Sequence, residues 1–402
     1  MRMNNAVEEC TMIERVPAIA PLRILVAHNT YQWRGGEDAV RDSEVSLLID
    51  GGQIVETYDR DNADIGGMSR LVVAKDTFWS TRTTSDLRDR IRSFRPDLIH
   101  VHNSFPLVSP SIYWEAARAN IPIVQTLHNY RLLCPQAMFL REERVCEDCL
   151  GKVPWRGVVR RCYRNSATQS AVVATMLGVH QAVGTFRNKV TRYIALNEFC
   201  RDKFIAGGLP ANRISVKPNF VTVPAFAEEP RSGGLFVGRL SAEKGLSVLL
   251  KSLDMLPQLT IDVIGTGPML EEVSKHPQAR GHGAMKRDEV LAHMQSASYL
   301  VLPSVWHEVM PLSVVEAFAS GLPVVGSRSG AMAELITDGV TGLLSEPGNA
   351  QDLAEKIRWA EENPSKMRDM GRNARREYLR AYTPQRNFSQ LMAIYRSVLA
   401  EH

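Results

Sequence analysis

Glu308 and Glu316 stand eight residues apart in "HEVMPLSVVEAFASGLPVV", residues 307–325, within an otherwise apolar stretch. A carboxylate in apolar surroundings costs several kcal/mol unless something pairs with it, so each must meet a protein group or a ligand. Pro311 fits the first turn of a helix, where its missing N–H leaves nothing unpaired. Leu312, Val315, Ala319 and Leu322 then recur at helical spacing. This pattern predicts Glu316 on the helix, one turn past Leu312, and Glu308 in the loop before it. A second stretch with chemistry in it is "FVGRLSAEKG", where Arg239 follows an apolar run and Lys244 and Gly245 open a helix. Unpaired N–H groups and the macrodipole favour an anion at a helix N-terminus, and two cations beside it make a phosphate site.

Three histidines also close apolar runs: His100 and His102 in "PDLIHVH", and His128 in "IPIVQTLH". His100 and His102 alternate onto one face of their strand. That spacing suits a metal pair, but no carboxylate follows nearby in the chain, so they are expected to line a cleft or pack structurally, with His102 reaching ligand. In "VIGTGPMLEEV", Gly265 and Gly267 supply two glycines of a dinucleotide fingerprint, while Leu270 occupies the third position and Pro268 reads as a helix start. A nicotinamide dehydrogenase is excluded on this ground. Gly35 and Gly36 of "RGGED" either form a plain turn or let backbone approach a phosphate or acceptor.

The elements that must position these residues are strands followed by helices. "LRILVAH", "PDLIHVH", "IPIVQTLH", "YIALN" and "RISVKPN" precede "GGLFVG", "TIDVIG", "SYLVLPS" and "LPVVGS", with amphipathic helices between them. Near-continuous apolar strands alternating with helices mean parallel sheets covered on both faces. The expected fold is α/β: two Rossmann-like doubly wound domains facing across a cleft, residues 1–213 and 214–384. A last helix, 385–402, packs back on the first domain. Ligands bind beyond the carboxyl ends of such strands, and the polar residues above sit at those ends.

A chain of 402 residues, 44% hydrophobic and 23% charged, fits a globular protein of two domains. The first twenty residues hold no apolar core of a secretory signal, and "AVVATMLGVHQAVG" is too short to span a bilayer. Six cysteines in such a chain suit a reducing cytoplasm. Residues 1–213 carry 28 Lys and Arg against 23 Asp and Glu, and the remainder 20 against 21. Five of the cations fall in "KVPWRGVVRRCYR", 152–164, which has no acid. The absence of an interleaved aromatic pattern argues against nucleic acid; a membrane surface, a phosphate-bearing substrate or a plain solvated face all fit. Cys134, Cys146, Cys149 and Cys162 cluster around a C-x2-C knuckle, the ligand set of a structural zinc site, with four free thiols as the alternative. Cys10 and Cys200 stand alone.

Taken together, "FVGRLSAEKG", "VIGTGPMLEEV" and "LVLPSVWHEVMPLSVVEAFASGLPVVGSRSGAMAELITDGVTGLL" resemble the family 4 glycosyltransferases of the GT-B fold, densely from about residue 233 to 348. The resemblance implies a nucleotide-sugar donor (a UDP- or GDP-sugar) held mainly by the C-terminal domain, and transfer with retention to a glycan or polyprenyl-linked acceptor. It also implies that catalysis requires no cofactor. It places Glu308 at the donor sugar, Glu316 on the ribose, and Arg239 and Lys244 on the diphosphate. Gly265 and Gly267 join the donor site, and His128 lies near sugar and acceptor. Pro311 stands where many members have Gly, so the amides of Leu312 and Ser313 must serve the phosphates. Gly35 and Gly36 resemble the family's glycine-rich loop. The expected setting is the cytoplasm, at the inner face of the membrane, in cell-surface polysaccharide synthesis. Two other readings are a nucleotide-sugar epimerase of the same shape, which the paired glutamates oppose, and a sugar-nucleotide-binding scaffold without turnover.

Overall fold

The computed structural model describes residues 20–32, 35–223 and 230–402; Cys10 and Arg34 lie outside them. Eight strands precede residue 217: β1 (Arg23–Thr30), β2 (Ile54–Asp61), β3 (Leu98–Asn103), β4 (Ile123–Thr126), β5 (Leu140–Arg141), β6 (Arg144–Val145), β7 (Arg192–Ala195) and β8 (Ile214–Val216). Six of them form a parallel sheet in the order β2-β1-β3-β4-β7-β8, and β5 pairs with β6 as a separate antiparallel hairpin. The second sheet comprises β9 (Gly234–Val237), β10 (Ile261–Ile264), β11 (Ala279–Gly283), β12 (Tyr299–Leu302), β13 (Val324–Ser327) and β14 (Gly342–Ser345). Its order is β11-β10-β9-β12-β13-β14, again all parallel. This is the doubly wound order of dinucleotide-binding sheets, with its switch point between β9 and β12.

Central strands are buried along their whole length, as in "YLVL" of β12 and "LIHVHN" of β3. That is why they read as apolar runs in the sequence. β2 and β11 escaped that reading because they are edge strands whose solvent side carries polar residues.

The domain division needs one correction. β8 pairs in parallel with β7, and the Lys217 N–H donates to the Ala195 carbonyl at 2.9 Å. Residues 214–217 therefore complete the first sheet, and the boundary lies beyond 213. The C-terminal helix, Pro384–Glu401, lays Leu391, Met392, Tyr395 and Val398 on Ile24, Val26, Leu98 and Val124 of the first sheet. The chain thus crosses back to seal the face of the domain where it began.

Candidate active site

In the second domain the site grows from the switch point. After β9 the chain carries Arg239, exposed and without a side-chain partner among the described residues, then a short turn through Lys244. After β12 comes the loop with Ser304, Trp306, His307 and Glu308. Lys244 Nζ lies 2.7 Å from Glu308 Oε1, and the Ser304 hydroxyl donates to the same oxygen at 2.7 Å. Glu308 is buried at 3% exposure, so these two bonds are what make its charge tolerable. The Lys244 ammonium also lies 5.5 Å from the centre of the Trp306 ring. The Val305 N–H donates to the Glu243 carbonyl at 3.0 Å, tying the two loops together. Gly245 makes this approach feasible: its φ is +73°, and a Cβ there would lie 1.8 Å from the Pro303 carbonyl oxygen. Gly265, φ +145°, similarly lets the loop after β10 lie on the Gly238 carbonyl, with Gly267 against Leu240. These two glycines hold the Arg239 loop from behind.

Pro311 precedes the helix Leu312–Ala319 as its N-cap, with Leu312 and Ser313 in the first turn. Val314, Val315, Ala317 and Phe318 face the core, while Leu312 and Glu316 share the half-exposed flank. Glu316 meets a protein group even in the empty site. Arg287, on the helix Arg287–Ser296, places Nε 3.1 Å from its Oε1. Arg287 is itself half exposed, and burial still raises the Glu316 carboxyl above its usual value despite the Arg287 charge and hydrogen bond. Arg287 thus offsets the burial of this carboxylate only in part.

The first domain meets this surface through its glycine loop. A Cβ on Gly36 would lie 3.8 Å from Leu312 Cδ1. Asp38 holds the loop in shape by accepting the Gly35 N–H at 2.8 Å, His28 Nε2 at 2.8 Å and the Tyr31 N–H at 3.2 Å. Burial opposes its ionisation, but these bonds prevail and keep Asp38 below the usual carboxylate value. Glu37 was not singled out by sequence. It accepts from Asn129 at 2.7 Å and from the Tyr31 hydroxyl at 2.9 Å, and burial raises its carboxyl.

His128 and His102 are brought together, with His102 Nδ1 2.9 Å from His128 Nε2 and the rings stacked. The expectation that His102 reaches ligand is corrected: its ring is covered by His128 on one side and by Glu44 on the other. Glu44, from the helix Gly36–Asp50, is the carboxylate the sequence reading did not find. Its Oε1 lies 3.2 Å from His100 and 3.3 Å from His102 Nε2, and its Oε2 takes the Lys217 ammonium at 2.8 Å. Among the described residues, Glu44, His100 and His102 are the group of three ligand types whose donor atoms lie within 4.8 Å of one another. The buried Lys217 ammonium already supplies the positive charge a metal ion would bring, so the structure reads as an ion pair. Burial penalises the Glu44 charge, but Lys217 and the histidines hold its carboxyl well below the usual range. Burial keeps His100, His102 and His128 below the usual imidazole value. With His102 neutral, its Nε2–H faces Glu44, which can only accept; its Nδ1 then accepts from His128 Nε2–H.

The four clustered cysteines are reduced, Cys134 buried and the others half-buried. Burial and then the neighbouring Cys134, Cys162 and Cys146 push the Cys149 thiol up to about 11, so all four stand within electrostatic reach.

Comparison with known proteins fits this geometry. Residues 228–377 match the family described as Glycosyl transferases group 1, and residues 39–223 match Glycosyltransferase Family 4. The sulfoquinovosyl transferase SQD2 of Arabidopsis thaliana is 28% identical over 309 residues, covering 71% of this chain and 54% of that protein. The chain spans about half the length of the curated relatives it matches. Among solved structures, Anabaena Alr3699/HepE in complex with UDP-glucose superposes with TM-score 0.64 at 19% identity, covering 93% of this chain and 99% of that one. Sucrose-phosphate synthase from Thermosynechococcus elongatus gives 0.70 at 17% identity, covering 94% and 100%. Two facing six-stranded parallel sheets of this kind are the GT-B fold, and the chain belongs to the group 1 and family 4 glycosyltransferases.

Proposed function

We propose that the protein transfers a sugar from a UDP-sugar to a glycan or lipid-linked acceptor with retention at the anomeric carbon. The observation that carries this reading is the Lys244–Glu308 pair at the switch point, with the exposed Arg239 on the same loop as Lys244 and Gly36 against Leu312 of the helix after Glu308. Diphosphate oxygens take Arg239 and Lys244, which releases Glu308 toward the sugar. The bond from C1 to the diphosphate oxygen breaks with its electron pair leaving on the diphosphate. The acceptor oxygen forms the new bond from the same face and gives its proton to the departing phosphate oxygen. The protein supplies charge stabilisation and positioning, which account for most of the barrier lowering in such transfers. His128 holds its Nε2–H toward His102, leaving the Nδ1 lone pair as the remaining acceptor on its ring. UDP is the favoured nucleotide because HepE is known in complex with UDP and UDP-glucose.

The basic segment supports contact with an anionic membrane surface on the cytoplasmic side. Val153, Trp155 and Val159 are exposed there at 61%, 59% and 71%. Apolar and aromatic side chains set among arginines suit a lipid headgroup layer. No helix among the described residues is long and apolar enough to cross a membrane.

A panel of UDP-, GDP- and ADP-sugars tests the donor, since a ligand that binds the native state raises the apparent melting temperature by mass action. Stabilisation by UDP-sugars, with release of UDP when acceptor is added, is expected. No stabilisation by any of them would refute the reading, and conversion of the donor without acceptor would identify an epimerase.

A further inference from the structure

Residues 134–165 form a lobe with little regular secondary structure. It contains two two-residue strands and one helix of five residues, Trp155–Val159. Seven of the ten described non-glycine residues with positive φ fall here, among them Ala137 at +70° and Phe139 at +49°. Such conformations persist only where the surroundings over-determine them. Phe139, Leu140, Leu150 and Tyr163 attach it to the main core, while Val153, Trp155 and Val159 turn outward and give it no second core. What it does gather is thiols. The knuckle Cys146–Cys149 follows directly on β6. The short helix packs on the Cys134 turn so closely that a Cβ on Gly157 would lie 2.9 Å from Pro135 Cγ. Arg160, which pairs with Asp148, also places Nη1 3.7 Å from Cys146 Sγ.

The knuckle also reaches the other domain. Glu147, between its two cysteines, places Oε1 3.0 Å from His307 Nε2 and 2.6 Å from Lys203 Nζ. His307 is the neighbour of Glu308, and its Nδ1 lies 3.2 Å from the Ser329 hydroxyl. The carbonyl of Val309 accepts from Asn197, and the Asn219 N–H lies 3.1 Å from Met310 Sδ. First-domain groups thus grip the loop carrying Glu308 at several points, and Glu147 is the one supplied by the cysteine lobe.

We infer that Cys134, Cys146, Cys149 and Cys162 bind one zinc ion, and that this ion fixes Glu147 as a clamp on the His307–Glu308 loop across the cleft. Among the described residues no three of the sulfurs lie within 4.8 Å of one another. Zn–S bonds of about 2.3 Å give a tetrahedral edge of about 3.8 Å. Binding therefore draws the thiols inward. The ion is structural, and Glu147 is a positioning residue for the sugar-transfer reaction proposed above.

The full chain, prepared without chelator, should carry about one zinc by elemental analysis. Exchange for cobalt should give the thiolate charge-transfer and tetrahedral ligand-field bands of a Co–S4 site. Cys149→Ser should lose both signals; should that variant fail to fold, the cobalt spectrum of the unaltered chain decides. Absence of metal, with all four thiols reacting freely in the native protein, would overturn the site, and these readouts do not depend on turnover. Glu147→Gln should keep its zinc and its UDP affinity while kcat falls between about ten- and a hundredfold. Glu147→Gln combined with His307→Gln should be no worse than either alone. An unchanged kcat in Glu147→Gln, or fully additive losses, would overturn the clamp.

Discussion

Lys244 reaches from the turn after β9 to Glu308 in the loop after β12, joining the two strands that flank the switch point by a contact of 2.7 Å. Glu308 is almost fully buried and Lys244 only partly so. In the empty site the pair gives the buried Glu308 a hydrogen-bonded partner, and in the proposed reaction Lys244 offers the diphosphate a cation already in place.

Lys244→Ala should therefore do two things. Nucleoside diphosphate affinity should fall by about 2–5 kcal/mol, the range for loss of a desolvated charge-assisted contact. The empty protein should also lose stability, because Glu308 keeps only Ser304 as a partner. Arg239→Ala should show the affinity loss without the stability loss, since the exposed Arg239 balances no buried charge. Calorimetry and thermal melting on both variants check this, and equal melting temperatures would contradict it.

The Lys217–Glu44 pair predicts a coupled stability effect. Glu44→Gln leaves an ammonium at 1% exposure without a counter-ion, which should cost about 3–5 kcal/mol. The double variant Glu44→Gln, Lys217→Met removes both charges and should recover most of that loss. Denaturant titration of the singles and the double measures the coupling.

Acid should weaken the fold in two stages. His100, His102 and His128 have their protonation suppressed in the native state, so the unfolded chain binds more protons once pH falls below about 6.5. Stability should drop from there by about 1.4 kcal/mol per pH unit for each ring that stays neutral. Glu44 acts in the same direction at lower pH. Its carboxyl is depressed in the native state, so its contribution is present above the usual carboxylate value and is lost as pH falls toward the folded one. Melting temperatures between pH 8 and pH 4 test this, and a flat profile from pH 7 to pH 5 would contradict it.

How much of this was legible in the sequence depends on distance along the chain. Central strands announced themselves because both faces are buried, Arg239 and Glu308 because each follows such a strand, and Lys244 because it stands at a helix opening. Pro311 and the apolar spacing after it located the helix bearing Glu316. The partners of these residues were not legible. Glu44 meets Lys217 across 173 residues, and Glu147 meets His307 across 160. Nothing local marks either contact: Glu44 sits on an ordinary amphipathic helix, and Arg287 reads as a surface cation until the fold sets it beside Glu316. β8 was visible as an apolar run, yet its membership of the first sheet follows from pairing with β7, which local pattern does not encode.

Membrane attachment through the basic segment has its own test. Arg156, Arg160, Arg161 and Arg164 changed together to Gln should reduce sedimentation with anionic vesicles, and added salt should do likewise. Arg156 and Arg160 also face Asp148, so part of their charge is already balanced within the lobe. Trp155→Ala should weaken binding even at low salt, because insertion of the ring is not electrostatic. Binding indifferent to salt and to all of these changes would leave the segment as a solvated face.

In the proposed reaction the two glutamates divide by role: Glu316 binds the nucleotide, and Glu308 acts on the sugar. The measurement that tests it most directly is UDP affinity by calorimetry alongside turnover for Glu308→Gln and Glu316→Gln. Glu316→Gln keeps Arg287 within reach but loses the charge-assisted bonds to ribose, so it should weaken UDP by about 1.5–3 kcal/mol. In the empty protein it should melt no lower, since burial already opposes the Glu316 charge. Glu308→Gln should bind UDP within a few-fold of the unaltered protein and lose turnover by at least about a hundredfold, because its contact is made to the sugar and its transition state. Equal loss of UDP affinity in both variants, or full turnover in Glu308→Gln, would contradict the account.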